Sequence, residues 1–561
     1  MDNQKNLILA VTCSILVLIV FDFFVNKPIR EQAVENSINP VELEDLNPTI
    51  SDNEFSIVKE NKKEVKEQRV FFDLNRIKGS INLYGATFDD IILKDYRSTV
   101  EKNSKPVRVL NKENSNSPFL VRNGWASTSK VDLPNKNSLW QLKKSSQVDK
   151  GLIELYWEND QGIKFNRKIT FDNHYLIKVS DYVTNQSESS ISLSNFSYIQ
   201  RKNFRPENKF FILHEGPIGV FNQNLRELSY DEIEDENIIT EIADNGWIGI
   251  TEHYWQVSIF PKSGNNFKAN FKNIQNLENS IQVDFINNNI FSINPDTTIS
   301  IDSFIFVGAK EVPLIDEYMK KYNIQNFDLS VDFGWFYFLT KPLFYALNFL
   351  STYFGNFGTG IIILTLFVRI ILFPLANKSF KSMNAMKLLT PEIQRLKERY
   401  KDDKTKMNQE MFNLYKQKKI NPAAGCLPIL IQIPIFFALY KVLFVSIEMR
   451  HAPFFGWIKD LSAPDPTSIF NAFGLIPWNP PGFLVIGIWP ILMGLTMYLQ
   501  QKINPPPPDP LQAKIFMTLP FIFTFLLATF PAGMVIYWTC NNILSIAQQS
   551  LILKKQKEEA K

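Results

Sequence analysis

Residues 359–374 read TGIIILTLFVRIILFP, an apolar run interrupted by a single charge, Arg369. Extended to residues 357–375, the run is long enough to cross a bilayer as a helix. An arginine inside such a helix costs about 2.5 to 3.5 kcal/mol even on a lenient insertion scale, so Arg369 needs an explanation. Three are open: its side chain reaches the nearby membrane surface, it pairs with an acid, or it faces a water-filled cavity.

Polar residues in the apolar runs favour the cavity. Thr365 lies one helical turn before Arg369 and shares its face, and the only acid inside a predicted span is Asp22, near the opposite membrane surface. Hydrogen bonds that merely join helices would explain the polar residues, but they would leave the cation without a partner. The sequence therefore predicts a hydrophilic groove, formed by Arg369, Thr365, Gln432 and a stripe at helical spacings that comprises Asn541, Asn542, Ser545, Gln548 and Gln549.

Six apolar segments have approximately spanning length. The first, within residues 1–26, is interpreted as an uncleaved signal anchor, because no small-residue cleavage site follows it. A cleaved signal peptide and, through Cys13, a lipoprotein are the alternatives. The other five segments, which predict a helical membrane bundle over 357–553, lie at 357–375, 426–445, 483–500, 515–530 and 532–553.

A polar region separates the first segment from the others. Residues 27–68 lack periodicity and predict a flexible tether. Residues 69–323 contain short β-rich runs between turn residues, which predict an all-β sandwich followed by one helix. Residues 26–335 carry 36 Lys and Arg against 44 Asp and Glu, a net charge of 36 − 44 = −8, and no cysteine. This balance argues against nucleic-acid binding, and a disulfide framework is excluded.

Charge in the connecting segments predicts the orientation. Residues 376–420 carry 12 basic and 5 acidic side chains, so the positive-inside rule puts them in the cytoplasm, together with both termini, and the β domain outside. Apolar residues at helical intervals predict a helical hairpin over 378–419, either a solvated stalk or a basic arm that meets a nascent chain or a ribosome. Residues 335–354 predict an interfacial amphipathic helix, with a true span as the alternative. Residues 554–561 form a short basic tail.

Motifs of covalent chemistry are missing. The sequence has no HExxH, P-loop, GxSxG or CxxC motif, and its four histidines are scattered. We therefore expect no enzyme activity, no metal and no cofactor. A solute transporter or channel is an alternative, but it predicts an inverted repeat and an intramembrane coupling acid within the bundle, and the sequence shows neither. A second alternative is a membrane-anchored sugar-active enzyme, in which the β domain is the enzyme and the helical bundle is incidental.

Several motifs resemble the YidC/Oxa/Alb family of membrane-protein insertases. They are GTGIIILTLFVRIILFP at 358–374, KINPAAGCLP at 419–428, LIQIPIFFALY at 430–440, DLSAPDP at 460–466 and FPAGMVIY at 530–537. The resemblance is dense over 335–553. The outer domain resembles that of Gram-negative members more loosely, through GSINL at 79–83 and GWIGIT at 246–251.

The resemblance implies a β-supersandwich in the periplasm and five helices around a groove open to the cytoplasm and to lipid. Arg369 matches the groove arginine that attracts acidic residues of a substrate, and Phe436 and Trp538 match or adjoin contacts with its apolar segment. The implied partners are nascent membrane proteins, the lipid bilayer of the bacterial inner membrane, the Sec translocon, and the ribosome through cytoplasmic loops. A longer outer loop at 470–481, prolines at 505–508 and only eight residues after Leu553 depart from the family pattern.

Overall fold

The computed structural model describes residues 68–559, with gaps at 205–212, 262–263, 265, 275–278, 402, 419–426, 479, 482–483 and 504–509. The predicted signal anchor at 1–26 lies outside the described residues, as does the predicted tether at 27–68 except for its last residue. The described chain divides into an N-terminal β domain and a helical C-terminal region.

The β domain contains two antiparallel sheets, whose strands are numbered in chain order. The first sheet runs β1 (Arg69–Asp73), β2 (Ile77–Asn82), β3 (Thr87–Arg97), β5 (Phe119–Ser127), β10 (Ile191–Arg201), β17 (Ile281–Asn287), β16 (Phe267–Asn273) and β13 (Ile238–Ala243), with β4 (Pro106–Leu110) on β3 and β18 (Phe291–Ile293) on β10. The second runs β12 (Asn224–Glu227), β11 (Gly216–Phe221), β14 (Gly246–Thr251), β15 (Trp255–Phe260), β19 (Thr297–Ala309), β9 (Leu176–Asn185), β8 (Ile163–Phe171), β7 (Leu152–Glu158) and β6 (Gln141–Leu142). The prediction of an all-β domain is confirmed, with one short helix, α1 (Tyr230–Glu236), inserted.

One apolar core joins the two sheets, because each sheet buries a face rich in aliphatic and aromatic side chains. A buried ion pair crosses this core. Arg167 in β8 donates from Nε and Nη2 to the carboxylate of Asp181 in β9, at 2.7 and 2.8 Å. Its Nη2 also lies 3.0 Å from the carbonyl oxygen of Asn123 in the other sheet. The pair therefore links the sheets as well as neighbouring strands.

The C-terminal region is helical. After α2 (Val312–Tyr322), which closes the β domain, the helices are α3 (Tyr337–Phe354), α4 (Phe357–Leu388), α5 (Thr390–Arg399), α6 (Lys404–Gln417), α7 (Leu427–Val445), α8 (Ile488–Ile503), α9 (Pro510–Leu527) and α10 (Ala532–Glu559). Helix α4 packs on α3 and α10, and α8 packs on α9 and α10. Gly494 permits the close approach of α8 and α9, because a Cβ there would lie 1.9 Å from the Thr524 hydroxyl.

By length and composition, one helix in the described ranges is apolar enough to cross a membrane, Phe357–Met386. Two shorter apolar helical segments are Ile431–Val445 and Ala513–Leu527. The C-terminal region is thus helical with one clear apolar span, and the count of six spans stays a prediction.

Helix ends differ from the predicted span boundaries where distant residues cap them. Helix α8 begins at Ile488 instead of 483, because Thr467 and Asp465 accept hydrogen bonds from the amides of Ile488 and Trp489, at 3.1 and 3.0 Å. Helix α4 continues to Leu388, past the predicted boundary at 375, so the first part of the predicted hairpin at 378–419 belongs to it. Pro391, in the first turn of α5, starts the next helix.

Polar contacts of His253 and Glu448 help to join the β domain to the end of α7 and the residues that follow it. Nε2 of His253 lies 2.7 Å from the carbonyl oxygen of Phe444. The amide of Val312, at the start of α2, donates to Oε1 of Glu448 at 3.0 Å. Since Glu311 makes no side-chain capping bond, Glu448 supplies an acceptor for the α2 N-terminus from outside the β domain.

This junction should respond to pH. Burial raises the pKa of the Glu448 carboxyl to about 7, and burial lowers the pKa of the His253 imidazole to about 4. The junction therefore loses stability as the pH rises from 4.5 to about 7, because docking disfavours the ionised form of Glu448. It also loses stability as the pH falls below 6.5, because docking disfavours the protonated form of His253. The Glu448→Gln variant keeps an acceptor for Val312 but does not titrate. We expect stronger hydrogen-exchange protection of the Val312 amide than in the wild type at pH 8, and equal protection at pH 4.

The matched control is Glu317→Gln, on the exposed face of the same helix α2. It should leave protection unchanged at both pH values. Equal protection of Val312 in wild type and Glu448→Gln at pH 8 would contradict the prediction.

Candidate functional site: a polar cavity in the helical region

A cavity of about 440 Å³ lies between helices α4, α7, α8, α9 and α10. Its lining is mostly apolar, with a cluster of amides and hydroxyls around one cation. Every predicted site residue except Thr365 and Gln548 lines it: Arg369, Gln432, Phe436, Trp538, Asn541, Asn542, Ser545 and Gln549.

Helix α10 holds the guanidinium of Arg369. Its Nε donates to Oδ1 of Asn541 at 2.7 Å, and its Nη2 donates to the Asn541 carbonyl oxygen at 3.3 Å and to Oγ of Ser545 at 2.5 Å. In the described part of the chain no carboxylate pairs with Arg369, and Asp22 lies outside that part. Neutral dipoles orient the guanidinium without cancelling its charge, so a positive potential faces the cavity.

The opposite wall is built from α7 and aromatic side chains. Gln432 donates from Nε2 to the Tyr537 hydroxyl, which links α7 to α10. One turn further along α7, the Phe436 ring meets the Trp538 ring edge-on, with centroids 4.6 Å apart, and Phe523 of α9 lies 6.2 Å from Trp538. The cavity thus has a polar side next to an aromatic side.

Two residues of the predicted polar set point elsewhere. Thr365 is only 2% exposed, and its hydroxyl donates to the Ile361 carbonyl oxygen in its own helix at 2.6 Å. Gln548 makes a long 3.4 Å hydrogen bond to the Phe373 carbonyl oxygen. Both are consistent with helix packing, and the sharing of a helix face with Arg369 did not bring Thr365 to the cavity.

Several lining residues were not singled out from the sequence. Tyr537 stands in the FPAGMVIY motif beside Trp538, and the amide pair Gln500 and Gln501 ends an apolar run, so both carried a usable signal. Phe380 and Met383 also line the cavity, but the sequence carried no usable signal for them. The predicted end of their span at 375 had placed both residues in the hairpin.

Two family models match the chain side by side. The model described as YidC periplasmic domain matches residues 69–346, and the model described as 60Kd inner membrane protein matches residues 349–559. The first covers the β domain and α2, and the second covers α4 to α10.

Full-length relatives agree with the family models. A membrane protein insertase YidC of Rickettsia rickettsii (strain Iowa) is 45% identical over 562 residues, with 99% of each chain covered. One from Rickettsia felis (strain ATCC VR-1525 / URRWXCal2) is 44% identical over 561 residues, again with 99% of each chain covered. A solved structure of an active YidC insertase, 17% identical, covers 86% of this chain and 92% of its own with a TM-score of 0.35, too low to add to the assignment. On its two family models and its full-length relatives, the chain belongs to the YidC family of membrane protein insertases.

Proposed function

We propose that the cavity around Arg369 is the groove through which this insertase handles its substrates, nascent membrane proteins. The observation that carries the proposal is a guanidinium held by the neutral groups of Asn541 and Ser545, inside a cavity that also has an aromatic wall. A cation kept at such a place, with no carboxylate partner among the residues that the structure describes, suits the transient capture of an anionic group.

The mechanism needs no nucleotide and no metal. A short polar segment of the substrate enters the groove, and Arg369 lowers the cost of desolvating its acidic side chains. The side chains of Gln432, Asn542 and Gln549 offer hydrogen bonds to the backbone of this segment. These bonds replace the ones that the backbone made to water before it entered the groove. Burial of the adjacent apolar segment in lipid drives release. The membrane potential adds about 2.3 kcal/mol per charge per 100 mV.

The aromatic wall is the proposed exit path for the apolar segment. Phe436 and Trp538 sit together on α7 and α10, next to the polar side of the cavity. Aromatic rings bury a large apolar area with little loss of conformational entropy. They can therefore contact many different apolar sequences, as an insertase requires.

We further propose the membrane arrangement. The bundle of five spans over 357–553 joins the anchor at 1–26, with both termini in the cytoplasm and the β-supersandwich in the periplasm. Helix α3 lies in the interface, a placement favoured by its exposed aromatic residues Phe338, Phe349 and Tyr353. The basic hairpin formed by α5 and α6 is the proposed contact with ribosomes. Cooperation with the Sec translocon is part of the same proposal.

Site-specific cross-linking tests the path. A photoreactive amino acid at Phe436 or Trp538 should form adducts with the apolar segment of a ribosome-stalled nascent membrane protein. Phe338, which is 75% exposed on α3 and away from the cavity, is the matched control position. Adducts at Phe338 as abundant as those at Phe436 and Trp538, or none at the latter two, would overturn the proposed path.

A further inference from the structure

A second cavity, of about 780 Å³, lies where the β domain meets the bundle. Its walls come from strand β12, from the segment between α2 and α3, and from the end of α7 nearest the β domain. The volume falls within the range of roughly 300 to 1,000 Å³ that is usual for small-molecule sites. Neither the groove nor the proposed insertion path uses this cavity.

One wall is aromatic. Phe333, Phe336, Tyr337, Phe437 and Tyr440 line it. The wall continues onto Trp335, which also lines the cavity and is 80% exposed. Aromatic side chains concentrate where a protein meets lipid headgroups, because their rings sit in apolar surroundings while their polar atoms stay wet. In the membrane arrangement proposed above, on which this inference rests, the wall at the β-domain end of α7 lies at that level.

The other side of the cavity is charged, with two acids and one base. Nζ of Lys441 lies 2.8 Å from Oδ2 of Asp332, so these two charges offset each other. Glu227, on strand β12, has no hydrogen bond or ion pair through its carboxylate among the described residues. Glu227 is exposed on the short strand β12. Loss of hydration of its carboxyl at the cavity wall, and then repulsion from Asp332, raise its pKa to about 7. This carboxylate is the acid left for a cationic ligand.

His214 does not supply that cation. Its Nε2 lies 2.9 Å from the Pro217 carbonyl oxygen, and burial lowers the pKa of the imidazole. The ring is therefore neutral at pH 7. Glu227 is then partly ionised at pH 7, and Lys441 on α7, which also lines the cavity, is already paired with Asp332.

We propose that this cavity binds a phospholipid whose headgroup carries both a phosphate and a primary ammonium, as in phosphatidylethanolamine. The ammonium donates to Glu227, the phosphate lies toward Lys441, and the acyl chains cover the aromatic wall and extend into the outer leaflet. The site would attach the β domain to the membrane surface beside α3.

Two features favour this ligand over others. A phosphatidylglycerol headgroup has a net negative charge and offers no ammonium to Glu227, so its phosphate would add a negative charge beside that acid. A basic peptide segment could pair with Glu227, but it would leave the aromatic wall and the neighbouring exposed rings of Trp335 and Phe338 without an apolar ligand.

Native mass spectrometry of the delipidated full-length protein tests the proposal. Phosphatidylethanolamine and phosphatidylglycerol with identical acyl chains are titrated separately. We expect one phosphatidylethanolamine to bind at least tenfold more tightly than phosphatidylglycerol, since a hydrogen bond between charged groups is worth roughly this factor or more. Glu227→Gln should remove the preference. Glu236→Gln, an exposed acid on the nearby helix α1, is the matched control and should keep it.

Other outcomes would overturn the site. Equal affinity for the two lipids in the wild type, or an undiminished preference in Glu227→Gln, excludes recognition of the ammonium by Glu227. Displacement of the lipid by an equal concentration of soluble phosphoethanolamine would assign the cavity to a water-soluble ligand. A photoreactive amino acid at Trp335 should give lipid adducts in cells, and adducts with nascent polypeptides instead would assign it to substrates. The insertion assay of the groove is separate, so either proposal can fail alone.

Discussion

Replacing Arg369 with alanine should reduce insertion of substrates with acidic translocated segments by roughly tenfold or more, because a hydrogen bond to a charged group contributes about 1.5 to 3 kcal/mol. Substrates with neutral segments should be affected much less, because they offer no anion to the guanidinium. The measurement is protease protection of the translocated segment in proteoliposomes, with substrate pairs that differ only by Asp→Asn. The ratio of the two insertion yields, rather than either yield alone, reports charge capture.

A second variant removes the available charge without removing the arginine. Asn541 accepts a hydrogen bond from Nε of Arg369 at 2.7 Å, so Asn541→Asp places a carboxylate of nearly the same shape against the guanidinium. The resulting ion pair should reproduce the selective loss seen with Arg369→Ala. Arg369→Lys keeps a positive charge but cannot hold both Asn541 and Ser545 in the same way, so an intermediate ratio is expected. Equal losses for acidic and neutral substrates, at normal protein levels, would contradict charge capture.

The polar members of the cavity could be predicted because helical spacing places Asn541, Ser545 and Gln549 on one face of a single helix. The sequence could not predict which of these residues would hold Arg369, because that depends on the rotation of α4 against α10. Thr365 shows the limit of such reasoning. Its hydroxyl finds a carbonyl oxygen four residues back in its own helix, and this local acceptor competes with any partner across the cavity.

The β domain shows a similar division between local and long-range information. Alternating short runs predicted strands and an all-β domain, and both are present. The pairing of β10 with β5 and β17, or of β19 with β9 and β15, joins strands far apart in sequence and leaves no local periodicity. The same holds for the start of α8, which Asp465 fixes from 24 residues away in sequence. Apolar periodicity therefore predicted the elements, whereas their pairing and exact ends depend on tertiary contacts.

Arg167→Ala should destabilise the β domain by about 3 to 5 kcal/mol, because it leaves the Asp181 carboxylate buried without its partner. The side chains of Arg167 and Asp181 are only 0% and 4% exposed, so the pair is shielded from solvent in the folded domain. The stability of a whole domain is typically about 5 to 15 kcal/mol, so this is a large fraction of it. Hydrogen exchange of strands β8 and β9 in the full-length protein measures the effect, as a loss of protection in both strands.

Two controls separate the buried pair from ordinary surface charge. Lys178 and Asp302 form an ion pair at 2.8 Å whose side chains are each 44% exposed, so Lys178→Ala should cost about 0 to 1 kcal/mol. The double variant Arg167→Met with Asp181→Leu removes both charges and should recover most of the loss, since paired apolar replacements of buried ions are often close to neutral.

If the single Arg167→Ala variant loses protection in β8 and β9 but still inserts substrates with acidic segments, the groove works without an intact β domain. If insertion falls in parallel with protection, and the double variant restores both, the folded β domain is required at the junction with α7.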